Sequence, residues 1–172
     1  MDHDDLEGYL TDLTTCPVDV LRERRGQCER LEAKVSYLRR LVQGRLDIVR
    51  AERHRRATGG EAGDMETLVL RLPEILGDKV HAPGFGRLPT NLMPPEDDAL
   101  TADLDEIAGA EAMGSLPELS DAQLDSLVGR LVDLEAEVSG RRRELFGVID
   151  ALQSELVRRY QEGQVDPSSV LQ

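Results

Sequence analysis

Aromatic residues are scarce in this chain: no tryptophan, two phenylalanines and three tyrosines among 172 residues. Rings supply much of the bulk of a thick globular core, so a sandwich or a doubly wound sheet is disfavoured, and most enzyme folds with them. Only two cysteines are present, Cys16 and Cys28. They are too few for a disulfide framework, and with His3, His54 and His81 scattered they make no metal-ligand spacing. Both read as reduced thiols, and no metal is expected. No run of eighteen apolar residues occurs, which argues against a membrane-spanning helix. The acidic start Met1-Asp2-His3-Asp4-Asp5 lacks the basic and then apolar pattern of a signal peptide. The expectation is a cytoplasmic protein with no membrane contact. No nucleophile stands beside an orienting base, and Gly84-Phe85-Gly86 is a lone turn, well short of a phosphate-binding loop. Catalysis is not expected.

What the chain does have is leucine, valine, glutamate and arginine in helical rhythm, and charge sorted by segment. Residues 1–17 carry five acids and no base, residues 18–56 twelve bases against six acids, and residues 57–119 thirteen acids against three bases, within a net charge of -13. Pro17, with Thr15 before it as a capping oxygen, suits a helix start, and Thr58-Gly59-Gly60 after the basic run His54-Arg55-Arg56 suits its end. Ser120 and Gln123 form a capping box for a second long helix that runs to Gly163. The expected organisation is an acidic N-terminal arm over 1–16, a long helix over 17–57, an acidic Pro/Gly-rich linker over 58–119, a long helix over 120–162 and a polar tail over 163–172. The arm, with Leu6, Tyr9, Leu10 and Leu13, suits a short amphipathic helix. Inside the linker, Met65 to Leu76 and an acidic stretch around Leu100 to Met113 suit local order.

In the first long segment Leu31, Val35, Leu38, Val42, Leu46 and Val49 alternate steps of three and four. In the second Leu127, Leu131, Leu134, Val138, Leu145, Ile149, Leu152 and Leu156 do much the same. These are coiled-coil seams, and neither can be buried by its own helix. The fold class expected is therefore all-α: a long, antiparallel two-helix coiled-coil hairpin with a mostly irregular linker and a short N-terminal helix or arm.

Aligning Leu31–Asp47 with Leu134–Asp150, an offset of 103, gives nine identities in seventeen. Some belong to any pair of seams, but the polar matches do not. Glu32, Ser36, Arg39, Gln43 and Asp47 fall within an arc of about 80° on a helix. Glu135, Ser139, Arg142 and Asp150 repeat the stripe, with Phe146 where a glutamine is expected. A single such stripe is adequately explained as the solvated face of a charged helix. Its duplication, with serine kept in the middle of both helices where it is a poor helix former, favours a ligand. Arginine forks grip phosphate or the O6/N7 edge of guanine, and carboxylates accept from guanine N1–H and N2–H, so the chemistry points to a phosphorylated guanine compound.

These residues resemble the RsiG family of anti-sigma factors of actinobacteria, marked by E-x3-S-x2-R-x3-Q-x3-D on each of two helices. Glu32-Ser36-Arg39-Gln43-Asp47 matches in full, and Glu135-Ser139-Arg142-Asp150 at four of five positions. The resemblance implies a hairpin that binds cyclic di-GMP as regulatory ligand and, when loaded, sequesters the sporulation sigma factor WhiG. It implies that the nine matching residues are the ligand site, with Phe146 stacking in place of a hydrogen bond. The acidic arm and the acidic linker around Asp97 to Glu111 then suit the basic DNA-binding faces of a sigma factor. Two other readings stay open: a structural or adaptor coiled coil without a nucleotide ligand, and direct DNA binding by the basic first helix. The acidic remainder and the lack of a groove-reading motif argue against DNA.

Overall fold

Two ends of the sequence pattern fix where the long helices begin and stop. In the computed structural model, which describes residues 4–59, 70 and 98–163, the elements are α1 (Asp4–Leu10), α2 (Val18–Ala57), α3 (Asp98–Ala108), α4 (Ala110–Gly114), a 3-10 turn (Leu116–Glu118) and α5 (Asp121–Gln161). No strand occurs among the described residues. The stretch Met65 to Leu76, apart from Leu70, and the tail after Gly163 lie outside them. The capping box forms at α5: Gln123 N–H donates to Ser120 Oγ at 3.3 Å and Ser120 N–H donates to Gln123 Oε1 at 2.8 Å. At α2 the opening differs from expectation. Asp12, at φ 54°, turns the chain, and Thr15 donates its hydroxyl back to the Asp12 carbonyl at 3.3 Å instead of capping the helix. Aspartate tolerates this left-handed conformation better than most residues. Gly59 and Gly163, at φ 73° and 69°, terminate the two long helices in the conformation that favours glycine.

The chain divides into two compact units, Met1–Ser36 with Gly140–Gln172, and Tyr37–Ser139. In the first, the N-terminal part of α2 packs antiparallel to the C-terminal part of α5, with Arg22 donating to the Tyr160 hydroxyl and Arg25 to Gln153. The core holds Leu21 and Cys28 of α2, Leu145, Val148, Ile149, Leu152 and Leu156 of α5, and Leu6 and Cys16 from the N-terminal arm. α1 has seven residues, too few to persist alone, and it is held by burying Leu6 with Tyr9 and Leu13 packed beside it. Leu10 stands off this face and is exposed. Both cysteines are free and buried. Burial, with Glu29 nearby, pushes the Cys28 thiol up, away from the thiolate that would make it reactive.

In the second unit the C-terminal part of α2 meets the N-terminal part of α5, again antiparallel, as the Arg53–Asp125 and Arg56–Asp121 pairs record. Its buried apolar residues are Val42, Leu46 and Val49 from α2, Leu124, Leu127, Leu131, Leu134 and Val138 from α5, and Leu104, Ala108 and Leu116 from the segment before α5. The acidic helix expected around Leu100 to Met113 is thus two helices, of which α3 buries Leu104 and Ala108 while α4 buries none of its residues. They break at Gly109, where a Cβ would lie 2.5 Å from the Asp105 carbonyl oxygen. Arg45 ties α3 to α2 by donating to the Leu104 carbonyl at 3.2 Å and to Asp105 at 2.8 Å. The α5 seam is buried at all eight expected positions. Of the six seam positions expected on α2, only Val42, Leu46 and Val49 are buried, while Leu31, Val35 and Leu38 are half-covered.

Candidate ligand site

The polar stripe sorts itself into two sets of side chains, one in each unit. In the second unit Arg39 of α2 donates through Nε to Ser139 Oγ at 2.8 Å and to Glu135 Oε1 at 3.2 Å on α5. Ser139 donates its hydroxyl to Glu135 at 2.9 Å, and Gln43 donates its amide to the same carboxylate oxygen at 2.9 Å. In the first unit Arg142 of α5 donates through Nε to Ser36 Oγ at 2.8 Å and to Glu32 Oε1 at 3.0 Å on α2. Ser36 donates to Glu32 at 2.6 Å. The same three bonds recur with the two motif copies exchanging roles, so each set takes its arginine from one helix and its serine and glutamate from the other.

The sets differ at one position. Where Gln43 bonds Glu135 in the second unit, Phe146 in the first lies under the Arg142 guanidinium, with a centroid distance of 4.7 Å. Gln43 therefore holds a carboxylate, and Phe146 a cation by its ring face. Asp47, the last position of the first copy, is half-buried and has a partner within the chain. Asp150 is exposed, and no described residue bonds it.

Mid-helix serine has a use in this geometry, since its hydroxyl accepts from the arginine across the hairpin and donates to the glutamate one turn back. The three groups form a closed relay, and the guanidinium plane is fixed through Nε. Among the described residues nothing hydrogen-bonds the terminal Nη atoms of Arg39 or Arg142. Those atoms are the fork that takes phosphate or a guanine acceptor edge. The guanidinium–carboxylate pairs are partly open to solvent, with side-chain exposures of 32% and 25% for Arg39–Glu135 and 36% and 19% for Arg142–Glu32. Such pairs contribute only about 0 to 1 kcal/mol to folding, so a ligand can repartner them at little expense. Among the described residues no group of three or more His, Cys, Asp or Glu is placed to hold a metal ion.

Sequence reasoning missed a second duplicated pattern at the same offset of 103: Glu52-x2-Arg55-Arg56 and Glu155-x2-Arg158-Arg159. In the second unit Glu52, 4% exposed, accepts from Arg55 and Arg56, and hydrogen bonds from Arg55 hold its carboxyl below the usual range against the effect of burial. Arg56 also reaches the carbonyls of Leu116, Pro117 and Leu119. In the first unit Glu155 accepts from Arg158 and Arg159, which lower its pKa to about 2. Arg159 is buried and bonds the carbonyls of Leu13 and Cys16. Each clamp fastens the segment leading into the other long helix. Extending the alignment past Asp47 and Asp150 would have found it.

No described helix is long and apolar enough to cross a membrane. No curated protein matches the sequence significantly. The family model described as RsiG-like matches residues 7–76 and 110–171, which includes both motif copies and both clamps. With that match spanning most of its length, the chain belongs to the RsiG-like family.

Proposed function

We propose that the duplicated motif binds cyclic di-GMP and that the loaded chain sequesters a WhiG-type sporulation sigma factor, repressing the transcription it directs. Membership of the RsiG-like family itself suggests an anti-sigma factor role and is consistent with a regulatory protein that is not an enzyme. The observation that carries the ligand reading is the repeated arginine–serine–glutamate relay, in which Arg39 and Arg142 are each anchored through Nε, which leaves their terminal nitrogens for a ligand. An arginine fork beside a carboxylate matches a guanylate unit, with acceptors on phosphate and on O6/N7 and donors at N1 and N2. A cyclic dinucleotide with two identical halves suits a motif present twice.

Ligand acts on partner binding by differential affinity. Without nucleotide the arginines and carboxylates satisfy one another, and with it they are drawn onto the guanylate units, which favours the conformation that holds the sigma factor. Titration calorimetry with cyclic di-GMP, followed by retention of the sigma factor with and without nucleotide, tests the reading. Heat of binding and nucleotide-dependent retention are expected. No binding of cyclic di-GMP would sink it.

One observation favours a second reading. Because the motif residues bond each other across the hairpin, they also serve as a polar zipper that sets helix register. A structural coiled coil would then need no nucleotide, and the same titration separates the two.

A further inference from the structure

Of the four apolar residues of the N-terminal arm only Leu10 is exposed, because Leu6 is buried and Tyr9 and Leu13 pack on the core of the first unit. What lies open beside the arm is a trough of about 710 Å³, lined by Gly8 and Tyr9 of α1 and by Arg24, Gln27, Arg30, Leu31 and Lys34 of α2. Among the described lining residues three are cationic and none is acidic, in a chain whose net charge is -13; Lys34 also has a partner of its own within the chain. Arg24 donates to the carbonyls of Tyr9 and Thr11, at 3.2 and 2.8 Å, which fixes the α1 wall. Arg30 is exposed.

From Arg24 to Lys34 the charges spread over about 15 Å of helix. That is too far for one phosphate and suits carboxylates along a peptide. Half-covered Leu31 between them adds an apolar contact. The chain supplies its own precedent for what this side of α2 accepts. α1, with the sequence DDLEGYL, is a short acidic helix that seats apolar residues on the core and has its carbonyl end held by an α2 arginine.

We propose that this trough docks an acidic, amphipathic helical segment of the protein partner, laid along α2 beside α1. The inference rests on the sigma-factor reading and names the surface and the chemistry through which that partner is held. It adds a basic surface to the expectation that acidic segments of this chain meet the partner's basic faces.

The test is Arg30→Glu/Lys34→Glu in the full chain, with helicity followed by circular dichroism, cyclic di-GMP affinity by calorimetry, and a WhiG-type sigma factor as probe. Expected are unchanged helicity and nucleotide affinity, with sigma binding weaker by about tenfold or more and the loss steepest at low salt. A milder variant, Arg30→Gln, should show an intermediate loss. Sigma binding equal to wild type in both variants overturns the proposal while leaving the proposed function intact. Wild-type chain that takes cyclic di-GMP but never the sigma factor overturns both. Trough-dependent retention of promoter DNA in a gel shift would also overturn it, by showing that the occupant is nucleic acid.

Discussion

Removing the two arginine forks is the perturbation that best separates a ligand site from a structural zipper. In Arg39→Ala/Arg142→Ala each set loses the group that presents its Nη atoms, while the apolar seam is untouched, because neither arginine lies on it. Each arginine is partly exposed, at 32% and 36%, so its pair with glutamate is worth about 0 to 1 kcal/mol to the fold. Ser36–Glu32 and Ser139–Glu135 remain bonded in their absence, so no carboxylate is left alone. Loss of a hydrogen bond to a charged ligand group removes about 1.5 to 3 kcal/mol, which is about 10- to 150-fold in affinity for each arginine. Calorimetry with cyclic di-GMP should show at least the single-arginine loss in each single variant and no measurable binding in the double. Thermal unfolding should move by only a few degrees. Native affinity in the double variant would refute the argument. So would a collapse of helicity as large as the loss of binding, which would make the arginines structural.

Other outcomes follow from the same geometry. Phe146→Leu keeps apolar bulk but removes the ring face under Arg142, and should weaken cyclic di-GMP binding by about two- to fivefold, the equivalent of about 0.5 to 1 kcal/mol of cation–π contact; calorimetry checks it. Glu155 has its pKa lowered from 4.5 to about 2 by Arg158 and Arg159. Its contribution to stability is therefore full above 4.5 and lost as pH falls towards about 2. Glu155→Gln should flatten that part of the stability-against-pH curve in denaturant titrations between those values. Deleting residues 1–14 removes Leu6 from the first core and the Leu13 carbonyl from Arg159, so the melting temperature should fall even without ligand. Leu152→Ala, at a fully buried position, should cost about 2 to 5 kcal/mol by chemical denaturation. Val42→Asp should unfold more of the protein by circular dichroism than Leu38→Asp, because Val42 is fully buried and Leu38 only half-covered.

The duplicated spacing determined much of this by itself. A serine placed between glutamate and arginine at helical intervals, twice and at one offset, puts those groups on one face of each helix whatever surrounds them, since the α-helix has a single geometry. The seams likewise required a partner helix, and the capping box and the glycines set the long helices' ends because they answer to backbone hydrogen bonding within a few residues. Tertiary packing decided the rest. Which arginine meets which glutamate, the exchange of roles between copies, and the use of Gln43 on a carboxylate against Phe146 on a guanidinium all depend on the facing helix, which no local pattern encodes. The burial of Leu104 and Leu116, in a segment that reads as an acidic linker, was decided in the same way, as was the cover that Leu6 of the amphipathic arm receives, because a few leucines find cover only when helices distant in sequence complete their surroundings. Local stereochemistry fixes a face, but contact between faces is a property of the assembled core.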